Sequence, residues 1–535
     1  MSLWTSSISF ARPSDFVPTF LRLAVLLSGI IIALSLLRRT PQDKAGNVVP
    51  PGPKGFPVLG VFLYLSKYPE LSLHKWAKQY GSIYSFMIGD QRFVILSDPN
   101  VVKDILVTNG AIFSSRKEMF LKVQTILVHR GITASGYNET WRKHRRIAAK
   151  ILTARAVATY TPAIEFEAKE MIRTLLVDGK AGAAAINPQP YASRFALNNN
   201  GHLRHPHRIH GVRPSRQGGA TYLARVHQLI YHSPSLARNV TGAVSNAVDF
   251  FPLLRRFPNR MTSRAKKLHQ DILDFNSPYL ADIEARLKRG DDVPDCQAKT
   301  LLLTREEEEL DDLDIIIMCG TLIIGGVETT ASIQQWFAAH IAGCPDIQEK
   351  AQAELDRVCG RDRLPNADDE KDLPYLRAIA KEVARFHNPF WLGTPHMSTE
   401  DFAYRGSFIP KDTVVIGNTW TMHRDPMRHP DPYTFNPDRY ANDKTPSADS
   451  AHLPDVMERD HWSFGIGRRI CPGVILAERE VFLGLAHMLW AFKIAPIPGV
   501  PIDLKEYDGV SGCSPVPFVV RLTPRDASVA EVLGL

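Results

Sequence analysis

Cysteine is scarce in this chain of 535 residues. Its six copies, Cys296, Cys319, Cys344, Cys359, Cys471 and Cys513, have neither the paired C-x-x-C spacing of zinc sites nor the density of a disulfide scaffold. A thiol framework is excluded, and the usage suits a reducing compartment. A dinucleotide fingerprint is also missing, because Gly465-Ile466-Gly467 lacks the third glycine and the strand–turn–helix setting. Acidic residues and lysine are absent from the segment Asn199 to Asn239, which instead holds Arg204, Arg208, Arg213, Arg216, Arg225 and Arg238. Those six arginines account for most of the net charge of +8. A basic balance suits nucleic acid, an anionic membrane or an acidic partner, and no other feature points to nucleic acid. Apolar residues are plentiful, at 44% against 22% charged, so core size is not limiting.

The most informative stretch is Phe464-Gly465-Ile466-Gly467-Arg468-Arg469-Ile470-Cys471-Pro472-Gly473. It sets one thiol between a basic glycine turn and a proline suited to opening a helix. From Pro472 to Phe492 apolar residues recur at helical spacing, which predicts that Cys471 caps a helix. The dipole of that end and the neighbouring Arg468 and Arg469 would favour a thiolate. A buried structural cysteine is the plainer alternative for any lone thiol.

The motif F-x-x-G-x-R-x-C-x-G, carried by Phe464, Gly467, Arg469, Cys471 and Gly473, resembles the heme-binding signature of the cytochrome P-450 monooxygenases. The fungal E-class microsomal group is the most similar, including its O-methylsterigmatocystin oxidoreductase-like members. The resemblance runs from about Pro50 to the C-terminus, except for 199–239. It implies a mainly α fold with small β sheets, and heme b whose iron is bound axially by Cys471, with Phe464, Arg469 and Gly473 around it.

Other segments gain roles from the same resemblance. Gly325-Gly326-Val327-Glu328-Thr329-Thr330 lies in a proline-free run from Thr304 to His340, about 55 Å if helical throughout. A capping box of Thr304 with Glu307 is predicted to open that helix. Two glycines there cost about 1 kcal/mol each relative to alanine, and close helix packing would explain them as well as a flat cofactor would. The family pattern makes Glu328 and Thr329 the pair that relays protons to dioxygen. In the family a Trp-x-x-x-Arg helix reaches a heme propionate, which assigns Trp141 and Arg145 and leaves Lys143, Arg146 and Lys150 free for a partner. His396 falls where members hold a propionate with a basic residue. Glu382, Arg385 and Arg439 match a structural ion-pair triad, with Asp438 and Tyr440 as mild variations around Arg439.

At the N-terminus, Leu23 to Leu37 is an uncharged apolar run. Extended back to Phe16 it has about the ~20 residues that a bilayer needs. A cleaved signal peptide competes, but no small-x-small site follows, and Arg38-Arg39 forms a basic flank. The expected organisation is a lumenal N-terminus over 1–15, a transmembrane helix over 16–37, a basic and proline-rich hinge over 38–57, and a cytochrome P-450 catalytic domain over 58–535. The positive-inside rule then places the catalytic domain in the cytosol as a single-pass protein of the endoplasmic reticulum membrane. Pro50 to Pro57 should act as a stiff spacer. Ile83 to Ile88 and Arg92 to Leu96 about Gly89-Asp90 read as a hairpin, and Leu376 to Phe386 as a helix.

The segment 199–239, where the family forms helices over the substrate pocket, has too few apolar residues to bury a face and reads as a loop. His202, His205, His207 and His210 cluster there without a convincing metal pattern. A misread exon or frame would explain the lost acids and lost periodicity, and a transcript encoding these residues unchanged would refute that. The implied activity inserts one oxygen atom of dioxygen into a small lipophilic substrate. NADPH supplies electrons through a separate NADPH-cytochrome P-450 reductase, with cytochrome b5 as a further donor, and fungal members serve secondary metabolism among other uses. A heme-thiolate enzyme that rearranges peroxides, or a catalytically impaired heme protein, are the alternatives.

Overall fold

The computed structural model describes residues 40–535 except 66, 203–246, 294 and 509–512, together with Leu21, Leu26, Gly29 and Ala33. Apart from those four positions, the anchor expected over 16–37 and the segment before it lie outside the described residues. So do residues 203–239 of the charge-biased segment.

The described chain is mainly helical with small sheets. Strands Ile83–Ile88 and Gln91–Leu96 pair antiparallel about Gly89, whose φ of 60° suits a residue without a Cβ. Val414–Gly417 joins the second strand in parallel, and His396–Met397 pairs antiparallel with Val414–Gly417, so His396 is delivered by the sheet edge. The proline-rich stretch does not stand off as a spacer. Pro51 O accepts Ser85 N at 2.9 Å and Pro50 O accepts Ser85 Oγ at 2.5 Å, docking the stretch on the first strand.

The central helix is Asp312–Ile341, and it starts later than its proline-free run predicts. Thr304 instead closes the short helix Gln297–Leu303, and Glu309 turns the chain at a φ of 49°. The real cap is Asp311, which accepts Asp314 N at 2.6 Å, while Asp314 Oδ2 accepts Asp311 N at 3.3 Å. Glu308 is drawn out of the helical path because Arg146 and Lys150 both pair with it, the latter at 3.0 Å. Among the described residues this is the one helix long and apolar enough to cross a membrane, and it is the buried core of the fold.

Gln189–His202 and Val474–Ala491 pack against it, and Ala154–Asp178 packs on both of these, over a core that includes Trp336, Phe337, Leu485 and Trp490. Gln189–His202 carries on past Asn199, where polar composition predicts a loop. Asn198 and Asn199 are buried, and Asn198 Nδ2 donates to Glu167 Oε2 at 2.7 Å, so tertiary pairing overrides the weak helix preference of asparagine.

Two of these helices are joined by a buried acid. Thr330 Oγ1 donates to Glu480 Oε2 at 3.1 Å, and Glu480 is 1% exposed. Burial pushes its carboxyl up to about 8, so the folded state holds a proton that the unfolded chain has released from about pH 4.5 upward. Stability from this group is complete below pH 4.5 and is lost as pH rises to about 8, at about 1.4 kcal/mol per pH unit. Glu480→Gln should remove that slope. Urea unfolding of both proteins between pH 5 and 8 checks it, and parallel pH profiles would contradict it.

Candidate functional site

The Cys471 loop is shaped by backbone that only glycine adopts easily. Gly465 has φ 86° and Gly467 has φ 60°, and a Cβ on Gly467 would strike the carbonyl of Leu106. After the tight turn Gly467–Arg469, Cys471 N donates to Phe464 O at 2.8 Å, closing the loop under the sulfur. The helix starts at Val474 with Gly473 as its cap, so Pro472 lies outside it and Cys471 precedes it rather than capping it. A Cβ on Gly473 would lie 3.9 Å from the sulfur, so glycine there leaves room beside it.

Arg468 and Arg469 do not sit over the sulfur. Arg468 is exposed and donates to Tyr137 Oη at 2.9 Å. Arg469 is spent on three carbonyls, Ser114 O at 2.7 Å, Ser135 O at 2.9 Å and Ile132 O at 3.3 Å. Burial pushes the Cys471 thiol up, while the Gly473 N–H and Arg145 pull it back in part. Ionisation of this sulfur therefore needs a positive charge that the loop itself does not supply; a coordinated metal ion is such a charge.

A group of cations lies beside the loop, and among the described residues no carboxylate pairs with Arg116, Arg145 or Arg469. Arg145 Nη2 donates to Ile470 O at 2.6 Å, while Arg469 stacks 3.9 Å over the Trp141 ring. Trp141 Nε1 donates to Ile132 O at 2.9 Å, which holds the indole beneath Arg469. His396 Nδ1–H donates to Phe113 O at 2.7 Å, and burial and Arg116 hold its pKa well below the usual range. A neutral His396 therefore offers Nε2 as an acceptor and would need a second proton to meet a carboxylate.

Arg116 was not legible from sequence. It is 6% exposed, donates to Thr394 O, and keeps Nε buried without a partner. Burial and the neighbouring Arg469 depress it strongly. Nothing distinguishes Ser114-Ser115-Arg116 from a surface loop until the fold encloses it. Enclosed guanidinium groups with an orphaned N–H, beside a thiol in apolar surroundings, fit a cofactor that carries carboxylates and a metal favouring sulfur.

In the middle of the central helix Ile324 and Gly325 are exposed and Leu322, Gly326 and Thr329 half-buried, and a Cβ on Gly325 would meet nothing within 4 Å. Thr329 Oγ1 donates to Gly325 O at 2.6 Å, so its hydroxyl sits at this opening. Glu328 turns the other way: it is 4% exposed, and Cys513 feels its charge. The two are adjacent in sequence and face different directions.

Glu382 and Arg385 meet through two hydrogen bonds of 2.7 and 2.8 Å, both fully enclosed, and Arg439 Nε lies 3.5 Å from Glu382. Asn436 N adds a 2.8 Å bond to the same carboxylate. The cations expected to be free are not. Arg146 and Lys150 share Glu308, and Lys143 donates to Glu309 O at 2.9 Å. Glu308, from the acidic run before the central helix, thus pairs with two cations of the helix Glu139–Ile151.

The cytochrome P450 family model matches residues 50–521. Curated relatives include cytochrome P450 monooxygenase fogE of Aspergillus ruber, 31% identical, covering 96% of this chain and 93% of its own length. Cytochrome P450 monooxygenase virE of Hypocrea virens is 32% identical over 94% of this chain and 90% of its own. Cytochrome P450 monooxygenase patH of Penicillium expansum is 32% identical, covering 91% and 90%. The family implies a heme cofactor.

Removing Arg116 should leave the interior less able to hold that cofactor. Arg116→Met is expected to lower heme retained after gel filtration by tenfold or more, with far-ultraviolet dichroism unchanged. Full heme content in the variant would contradict the assignment.

Proposed function

We propose that this chain, which belongs to the cytochrome P450 family and is a cytochrome P450 monooxygenase, uses heme b to insert one atom of dioxygen into a C–H bond of a small lipophilic substrate. The other atom leaves as water, which takes two protons and two electrons, and NADPH supplies the electrons through a separate reductase. The observation that carries the reading is the enclosed Cys471 thiol beside Arg145, Arg469 and Arg116, a set that would hold a metal by sulfur and carboxylates by guanidinium. Bound heme would supply the oxygen chemistry, with sulfur ligation favouring O–O cleavage.

The chain's own residues would manage water and protons. The Thr329 hydroxyl, held on Gly325 O at the opening in the helix, can rotate to donate a proton into the adjacent space. Glu328 would serve it from the buried side through water, since the two side chains point apart. Glu382, Arg385 and Arg439 would lock the segment 430–439 to the helix Pro374–Phe386.

A reductase would dock where exposed cations surround the Cys471 loop. With Lys143, Arg146 and Lys150 already paired, the face reduces to Arg142 and Arg468 around Tyr137. Segment 16–37 would anchor the chain in the endoplasmic reticulum membrane with the catalytic part in the cytosol, and cytochrome b5 would share the docking face.

Two experiments test this reading. Reduced wild-type protein under carbon monoxide should show the red-shifted absorbance of sulfur-ligated heme, and Cys471→Ser should abolish it. With reductase and NADPH, Thr329→Ala should consume NADPH while diverting electrons to hydrogen peroxide, lowering product per NADPH about tenfold. An unchanged product yield would remove Thr329 from proton delivery. Separately, Arg142→Glu with Arg468→Glu should slow the first electron transfer, and the wild-type rate should fall as salt rises. Stopped-flow reduction reads both, and a salt-independent rate would argue against docking by charge.

A further inference from the structure

We propose that His423 is a positioning residue for the Cys471 sulfur, its ring carrying the fixed geometry of Glu382 and Arg385 to the start of the cysteine loop. This rests on the monooxygenase reading, because it treats Cys471 as the ligand to heme iron.

His423 ends the short helix Thr419–His423 and is fully buried. That helix is itself braced. Asn418 N donates to Leu96 O at 2.8 Å on the sheet, and Asn418 Oδ1 accepts Thr421 N at 3.3 Å as the cap. Asn388 Nδ2 donates to Thr419 Oγ1 at 3.0 Å. The ring therefore projects from a fixed base.

Both ring nitrogens are used. Nδ1 lies 3.0 Å from Arg385 O, and Nε2 lies 2.9 Å from Trp462 N. A carbonyl only accepts and a backbone N–H only donates, so these partners require the proton on Nδ1 and a bare Nε2. Burial and the surrounding His461, His429, Arg385 and Arg424 hold the pKa of His423 well below the usual range, which keeps the ring neutral. Arg385 answers with its side chain, whose Nη1 donates to His423 O at 2.8 Å. Arg385 and His423 are thus bonded in both directions, and Arg385 is the residue that grips Glu382.

The far side of the ring meets the cysteine loop where it begins. Among the described residues the Trp462 N–H has no other acceptor. Next in the chain, Ser463 Oγ donates to Ala384 O at 2.8 Å, and Phe464 O accepts Cys471 N at 2.8 Å. Three consecutive residues are therefore tied to His423, to the helix Pro374–Phe386 and to Cys471 itself. A metal ligand is oriented by the hydrogen bonds behind it as much as by its own backbone. Without the His423 acceptor the Trp462 N–H would stay buried and unpaired, and the strand that carries Phe464 O would be free to shift the sulfur. The Ser463 bond and the Glu382 pair would persist, so the fold should survive the change.

The two ring bonds can be removed one at a time. Asparagine presents an amide N–H near the Nδ1 position, and glutamine an amide oxygen near the Nε2 position. The test records the carbon monoxide spectrum of the reduced holoprotein for wild type, His423→Asn and His423→Gln, with heme content alongside. In His423→Asn the ratio of sulfur-ligated to unligated heme should fall about tenfold at unchanged heme content, while His423→Gln should stay within about twofold of wild type. Hydrogen exchange gives a second readout that stays decisive if the glutamine variant folds poorly. Segment 460–466 should exchange about tenfold faster in His423→Asn, with 374–386 unchanged. Asparagine and glutamine variants that behave alike, whether both keep the red-shifted band or both lose it, overturn the proposal, as does a lower ratio in the glutamine variant. Unchanged exchange over 460–466 overturns it as well. A wild type lacking the red-shifted band defeats the functional reading instead.

Discussion

Uncompensated charge in an enclosed space is the constraint from which the rest of the site follows. Arg116, Arg469 and Arg145 gather near a thiol whose ionisation burial opposes, and among the described residues no carboxylate pairs with them. In a low dielectric such a set is costly by itself and becomes favourable only when anions and a metal charge enter together. Each group also depends on the others' presence. Bound heme would ionise the sulfur, and the guanidinium groups would hold its carboxylates. Cofactor binding and folding of the Cys471 loop would thus be coupled in one equilibrium, and the loop's glycine turns shape the backbone for it in advance.

The scaffold meets this constraint by cross-linking its helices through buried polar pairs. Thr330 to Glu480 joins the central helix to the helix that follows Cys471. His144 Nε2–H donates to Asp314 Oδ1 at 3.0 Å and its Nδ1 accepts Gly131 N at 3.2 Å, tying the helix of Arg145 to the cap of the central helix. Glu382 with Arg385 and Arg439 secures the segment leading toward the loop. Apolar packing alone tolerates small slides between helices, whereas a buried pair with fixed geometry favours one register. The residues that carry chemistry sit within a turn or two of these links.

Much of this was legible in the sequence, and the parts that were not share a cause. The hairpin at Gly89 and the helix at Pro374–Phe386 follow from local periodicity, and the cysteine loop from its glycines. The start of the central helix was misplaced because Thr304 and Glu307 satisfy a capping rule locally, while Asp311, Arg146 and Lys150 act through contacts distant in sequence. The same distant contacts consumed the cations that composition left free. Arg116 looks like a loop cation in sequence, and only enclosure gives it meaning.

Thr329 and Glu328 show how a motif can fix residue types without fixing their relation. Adjacent positions on a helix project about 100° apart, so the hydroxyl and the carboxylate cannot both face one opening. Thr329 takes the opening, and its bond to Gly325 O weakens the helix ladder where two glycines already make the backbone compliant. Glu328 is left on the packed side, near Cys513. Proton transfer between them would therefore require water within the helix or a local change in its winding. The glycines at 325 and 326 would then serve two ends: admitting a flat group close to the backbone, and letting the helix open enough for water to bridge a hydroxyl and an acid that the regular helix keeps apart.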